Sequence, residues 1–327
     1  MRIALIEAGH WHAPLYLDGL SGDGLEVTAV SDVSGGGGRA IAERYGARFY
    51  ERWNDLIGAE TIDFAFAFGR PVEMPVIGEA LVRVGVPFAL EKPCGVDLAG
   101  VQGLARLAAA ADHFVAVPYL YRTGPLREAL AALAGGLPGR FHHMSFRFIG
   151  GPPGRYLETN CPWMLDRAQS GGGALMNLGG HFVDLVSLLT GEAAEDVTAV
   201  TSDSAYGAGI EDYAVLTIRT DGGAVAVVEA GYTFPSAGEA LREFSFTLRS
   251  DAYYVTSTGD GLVVRDIASP SEDGRHIGVE LSNERYYPMF VADTLARFRR
   301  GEPPACGLGE AVEVMDVMVR AYRSALA

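Results

Sequence analysis

Over roughly its first 120 residues the chain alternates short apolar runs with stretches of helical pattern, an order that few architectures accommodate. The runs at 2–6, 26–31, 63–68, 87–90 and 114–118 read as strands, and 38–45, 75–84 and 98–111 read as helices between them. Strand, helix and strand in succession cross over right-handed, which leaves a doubly wound parallel sheet that takes ligand at the carboxyl ends of its strands. From about residue 140 the texture changes. "RFHHMSFRFIG", "DYAVLTIRT", "GAVAVVEAGYT", "REFSFTLRS" and "AYYVTS" alternate apolar with polar residues, as antiparallel strands of one extended sheet do, joined by turns such as Asp221-Gly222-Gly223. A helix at 174–190 interrupts them, and helices at 284–300 and 310–325 follow. The expected class is α/β, with one domain over 1–120 and a second over 121–327.

Charge narrows the partners. With 41 acidic against 26 basic side chains the formal net charge is −15, which argues against nucleic acid or an anionic membrane surface, since both need a basic footprint. No apolar run approaches the ~18 residues of a membrane span. Glu7, His10, His12 and Asp18 break what a secretory signal would keep apolar, so a cytoplasmic setting is expected. The three cysteines are widely spaced and read as reduced thiols with no zinc pattern. Glu7, His10 and His12 form a conceivable ligand set on a strand-to-helix turn, but nothing in the sequence supplies an outer shell, and no metal is expected. His142 and His143 alternate across a strand and point to opposite faces.

Of the 26 basic side chains all but Lys92 are arginine. Arginine stays protonated in proteins, whereas a buried lysine shifts its pKa and can exchange a proton. Lys92 stands in "EKP", Glu91 to Pro93, at the carboxyl end of an apolar strand, where a Glu-Lys pair is unusual and Pro93 stiffens the backbone. The opening turn, "EAGHWH", has glycine only at Gly9, with Glu7 and His12 where a phosphate-cradling loop has its other glycines. A helix starting near His10 would still aim N–H groups at a phosphate. Asp32 follows Gly9 by roughly the twenty residues at which a carboxylate accepts both hydroxyls of an adenosine ribose. It would repel a 2′-phosphate and no arginine follows directly, so NAD is preferred over NADP.

Within 174–190, Leu175, Leu178, Phe182, Leu185 and Leu189 form a core stripe at helical spacing. Asn177, His181 and Asp184 share another face, either a cleft wall or a satisfied hydrogen-bond network. The glycines at 171–173, and Gly179 and Gly180, favour the cleft.

These residues resemble the Gfo/Idh/MocA oxidoreductases. The likeness rests on Glu91-Lys92-Pro93, on the "W…SGGGALMNLGGHFVDL…LTG" pattern over 163–191, and on the ending "FVADTLARFRRGEPPACGLGEAVEVMDVMVRAYRSA". It implies a Rossmann dinucleotide-binding domain followed by a substrate-binding and oligomerisation domain, whose open sheet often builds a homodimer or homotetramer. It also implies hydride transfer between NAD(P) and a secondary alcohol of a sugar, cyclitol or related polyol. By the same resemblance Lys92 touches the reacting oxygen and His181 is the acid/base group. That chemistry is sound, because a neutral imidazole can take the hydroxyl proton while an ammonium holds the developing alkoxide. Asn177, Trp163, Tyr121 and Arg122 are the substrate-side candidates; Gly9, His10, Trp11, Asp32, Glu91 and Lys92 are the cofactor-side ones. Asn177 stands where the family usually has aspartate. Gly69, Arg70 and Pro71 replace a Thr-Pro-Asn stretch, and Met74 replaces its histidine. Two alternatives stay open: a catalytically silent binder of sugar or nucleotide, and an enzyme that uses tightly held NAD for a redox-assisted elimination or hydrolysis.

Overall fold

The computed structural model describes residues 1–34, 36–237 and 241–326, and Gly35 of the "SGGGG" loop lies outside them. The chain forms two compact units. The first joins Met1–Pro118 to Gly154–Gly171 and Tyr287–Val312; the second holds Tyr119–Pro153, Gly172–Tyr286 and the residues from Glu313 onward.

The first unit is built on strands β1 (Arg2–Ile6), β2 (Glu26–Ser31), β3 (Arg48–Tyr50), β4 (Phe64–Ala67), β5 (Phe88–Leu90) and β6 (Val115–Ala116). All pair in parallel, in the order β3-β2-β1-β4-β5-β6. Helices on both faces explain why β1 and β4 read as continuous apolar runs, and residues 3–6 and 64–67 are buried almost completely. The sequence reading missed β3. This edge strand has three residues, none fully buried, and so shows no apolar run. It also missed the helix Trp53–Ala59. The helices Gly37–Tyr45 and Met74–Val84 stop at Gly46 and Gly85, both left-handed, a conformation glycine adopts without cost. Asp97 caps Leu98–Ala110 by accepting the Gly100 N–H at 2.8 Å.

The helix expected from His10 begins instead at Ala13, makes one turn to Tyr16 and passes into a 3-10 turn, Leu17–Leu20. The cause is local. The His12 N–H donates to His10 Nδ1 at 3.0 Å and the Ala13 N–H to the His10 carbonyl at 2.9 Å, so residues 10–12 form a tight turn before any helix starts.

The second unit carries β7 (Phe141–Gly150), β8 (Ala194–Ser202), β9 (Tyr213–Thr220), β10 (Val225–Gly231), β11 (Arg242–Ser250), β12 (Tyr253–Thr258), β13 (Gly261–Asp266) and β14 (Arg275–Gly278). Their order is β14-β13-β12-β11-β7-β10-β9-β8, antiparallel except for the parallel β7–β10 pair. The period of two along β7 sends Met144, Phe146 and Phe148 to the core face and His143 and Ser145 outward. On the core face Phe182 of the helix Gly180–Thr190 stacks on Phe146, with ring centroids 4.9 Å apart. The helix predicted over 174–190 opens as a π-helical segment, Leu175–Gly179. Among the described residues no helix is long and apolar enough to cross a membrane.

Candidate active site

In the first unit β1 and β4 are neighbours although β2 and β3 separate them in the chain, and this reversal of strand order opens a crevice at the carboxyl ends. Residues just past β1, β2 and β4 line it. Glu7, Gly9 and His10 come from the first turn, Asp32 to Ser34 from the second, and Phe68 to Arg70 with Glu73 from the third. Asn160, Pro162 and Trp163 of the Gly154–Gly171 segment complete a cleft of about 220 Å³.

Gly9 and Gly38 bracket the Asp32 side chain so closely that a Cβ on Gly9 would lie 2.4 Å from its Oδ1 and one on Gly38 2.4 Å from its Cβ. Asp32 Oδ1 accepts from the Ser34 N–H at 2.9 Å and the Ser34 hydroxyl at 2.6 Å, and Oδ2 accepts from the Gly38 N–H at 2.9 Å. Three of the roughly four acceptor positions of a carboxylate are therefore filled. A ribose diol can be held by both oxygens once the Ser34 hydroxyl turns aside.

Glu7 has a left-handed backbone, φ 55°, and is 7% exposed. The Val33 N–H donates to its Oε2 at 3.1 Å, and the Ser31 hydroxyl reaches its Oε1 at 3.4 Å. Burial, aided by Asp32 and Glu73, pushes the carboxyl up to about 7 against those two hydrogen bonds. Arg70 is the cation on this cleft. It is half-buried, paired with Glu73, and donates to Gln169 at 2.8 Å. The His10 ring lies 5.3 Å from that of Trp163, and burial, helped by His12 and Lys92, holds it well below its ordinary pKa, so it is a neutral imidazole.

Trp11, Glu91 and Lys92 lie outside the cleft lining. Glu91 extends the sheet, its N–H donating to the Ala67 carbonyl at 2.9 Å. Its carboxylate, 2% exposed, accepts the Tyr16 hydroxyl at 2.7 Å and bonds His12 Nδ1. The Tyr287 hydroxyl lies 3.2 Å from the His12 ring nitrogens. His12 thus stands in the opening turn as the partner of a buried acid 79 residues away, a role the sequence reading missed. Burial raises Glu91 while Lys92, His10 and Tyr16 pull it down. Lys92 is 5% exposed, and burial lowers its amine pKa against the opposing charge of Glu91. Its bond to Pro93 is cis.

In the second unit the helix bearing Asn177, His181 and Asp184 is buried on nearly every side. Asn177 donates to the Tyr232 hydroxyl at 3.1 Å, and Arg122 Nε donates to Asp184 at 2.7 Å. His181 presents its ring to the edges of Tyr119 and Tyr121, with centroids 6.1 Å away. Tyr121, expected at a substrate wall, is fully buried with its hydroxyl bonded to Asn283. The sequence reading also missed Glu211. It accepts the Gly173 and Leu175 N–H groups at 2.8 and 3.1 Å and the Tyr322 hydroxyl at 2.6 Å, which ties down the start of the helical segment. A Cβ on Gly172 would lie 2.0 Å from the Tyr322 hydroxyl, and one on Gly173 2.1 Å from the Glu211 carbonyl. The glycine run thus serves packing.

Of the expected residues, the structure gathers Gly9, His10, Asp32 and Trp163 on one cleft and Asn177, His181, Arg122 and Tyr121 around one helix. The cleft lies at the switch point, with a carboxylate at the end of β2 and Arg70 in its lining.

Comparison with known proteins bears on the same residues. The model of the family described as "Oxidoreductase family, NAD-binding Rossmann fold" matches residues 1–119, and that of the "GFO/IDH/MocA C-terminal domain" matches 126–248. The rhizopine catabolism protein MocA of Rhizobium meliloti is 24% identical over 240 residues, 72% of this chain and 72% of MocA. An oxidoreductase from Agrobacterium radiobacter, solved in complex with NAD+, L-tartaric acid and magnesium, superimposes with a TM-score of 0.84 at 19% identity, over 100% of this chain and 96% of that one. The WlbA dehydrogenase from Bordetella pertussis, in complex with NADH and UDP-GlcNAcA, gives 0.81 at 20% identity, over 100% and 95%. Both structural likenesses are likenesses of fold.

Proposed function

The chain belongs to the Gfo/Idh/MocA family of NAD-binding oxidoreductases, and from that premise we propose that it moves hydride between NAD and a secondary alcohol of a sugar, cyclitol or related polyol. The observation that carries this reading is Lys92, the chain's single lysine, buried at the end of β5 with its amine pKa lowered. An ammonium there stabilises the alkoxide that forms as hydride leaves, and its lowered pKa makes its proton easier to give up. His181 takes the hydroxyl proton, and Asn177 positions a hydroxyl without accepting its proton. Arg122, through Asp184, supports the helix that carries His181, and Tyr121 packs its ring against His181 and Phe182 of that helix. Trp163 offers an apolar face for a sugar ring. The nicotinamide ring, when bound, supplies the hydride acceptor. Gly9, His10, Arg70 and Asp32 hold the rest of the dinucleotide, and the Asp32 carboxylate favours NAD over NADP by opposing a 2′-phosphate. The WlbA dehydrogenase forms its complex with UDP-GlcNAcA, a sugar nucleotide, which supports a polyhydroxylated substrate class for this chain. The outward face of the eight-stranded sheet carries Val200, Val225 and Tyr254 exposed and suits self-association, which sedimentation would measure.

The test is cofactor titration followed by tryptophan fluorescence, then a panel of polyols and sugar nucleotides scored for reduced cofactor. NAD should bind more tightly than NADP, and at least one polyol should be oxidised. Lys92→Arg keeps the charge but removes the titratable amine, and should lower kcat by about 10²-fold or more. Unchanged turnover would remove Lys92 from the chemistry.

A further inference from the structure

Glu7 occupies a position whose left-handed backbone glycine adopts freely and glutamate adopts only at a cost. Its carboxyl is nevertheless buried on the wall of the cleft. We propose that Glu7 is a proton-carrying ligand of the dinucleotide: in the bound state its carboxyl is neutral and donates its O–H to a phosphate oxygen, so that binding takes up a proton from solvent. The inference rests on reading the cleft as the dinucleotide site.

The geometry leaves one oxygen for this task. Oε2 is held by the Val33 N–H, whereas among the described residues Oε1 has only the long contact from the Ser31 hydroxyl. The groups that face Glu7 leave the phosphates under-compensated. Asp32 from the end of β2 and Glu73 from the segment after β4 are acidic, and Arg70 beside them is already paired with Glu73. His10 on the same turn is held neutral by burial, and burial raises the Cys161 thiol of the Gly154–Gly171 segment, keeping it neutral too. A pyrophosphate with two negative charges would meet a third repelling carboxylate if Glu7 stayed ionised. Protonation removes that repulsion and adds a donor, and the carboxyl, already pushed up to about 7, takes the proton at little cost near neutral pH. The balance is one proton from solvent per dinucleotide bound, with the carboxylate becoming the acid and no other bond changing.

Calorimetry of NAD binding to the whole protein, in two buffers of different ionisation enthalpy at about pH 8, tests the idea, with Kd followed from about pH 6 to pH 9. The wild-type chain should show a buffer-dependent enthalpy corresponding to uptake of most of one proton. Its Kd should weaken towards tenfold per pH unit above about 7. Glu7→Gln, which keeps a donor without a titrating group, should bind with no proton uptake and a nearly flat Kd over that range. Equal enthalpies in both buffers with a flat wild-type Kd would overturn the inference and leave the dinucleotide site standing, and so would proton uptake that persists in Glu7→Gln. Failure of both proteins to bind NAD at millimolar concentration would overturn the dinucleotide reading together with the inference. The wild-type measurement decides the matter even if the variant does not fold.

Discussion

Glu91 and Glu7 both follow a strand of the same parallel sheet, β5 and β1, and both are almost wholly buried, yet their surroundings differ in kind. Glu91 sits among a tyrosine hydroxyl, an imidazole and a lysine, each able to compensate a negative charge. Among the described residues Glu7 has one backbone N–H, one distant hydroxyl and two neighbouring acids. Burial by itself says little about a carboxyl's role; the donors around it do. A compensated buried charge holds structure together, whereas an under-compensated one that faces a cleft is poised to respond to a ligand.

The contrast can be broken most directly by removing the acids. Glu91→Ala leaves the Tyr16 hydroxyl and the His12 imidazole buried without their acceptor and should cost about 3–5 kcal/mol in urea unfolding. A cost below about 1 kcal/mol would show that the cage adds nothing to stability.

Glu7→Gln should act in the opposite sense. The native carboxyl binds its proton more tightly than the ordinary carboxyl of the unfolded chain. Its contribution is therefore most favourable below about pH 4.5, diminishes as pH rises through about 7, and is flat above. The variant should thus be more stable than wild type at about pH 8, by at most about 3 kcal/mol, with that gain vanishing at about pH 4.5. Thermal unfolding at the two pH values reads this out, and a gain of equal size at both would show that the carboxyl does not titrate as placed.

Tyr16→Phe removes a single hydroxyl from the Glu91 cage and should cost about 1–2 kcal/mol, measured by the same unfolding titration. The smallest effect is expected at Asp32. Ser34→Ala frees an acceptor position on Oδ1 and should tighten NAD by a few-fold, which fluorescence titration resolves; weaker binding would mean that the Ser34 hydroxyl helps to hold the ligand.

The sheet of the first unit was legible because strands buried on both faces spell themselves out as apolar runs, and β1, β2, β4 and β5 appeared where the sequence placed them to within a residue or two. β3 did not appear because none of its three residues is fully buried, and β8 at one edge of the second sheet and β13 and β14 at the other did not appear either. Gly9, Asp32 and Lys92 were legible as residues just past the ends of strands, which is where the structure has them. His12 looked like a damaged phosphate loop and is instead bonded to Glu91, and the glycines at 172 and 173 make room for Tyr322 and Glu211.

From the linear pattern alone came the α/β class, the order of elements and the residue types capable of hydride-transfer chemistry, because side-chain period and turn propensity act over a few neighbouring positions. The compensation of each buried charge emerged only in three dimensions. His12 and Glu91 are 79 residues apart and Gly173 and Glu211 38, and the energy of such pairs depends on distance and burial that no local pattern encodes. The same holds for the opening turn. In one dimension Glu7 is a glycine missing from a motif; in the folded chain it is a half-compensated acid on a cleft wall, and its proton becomes something to measure.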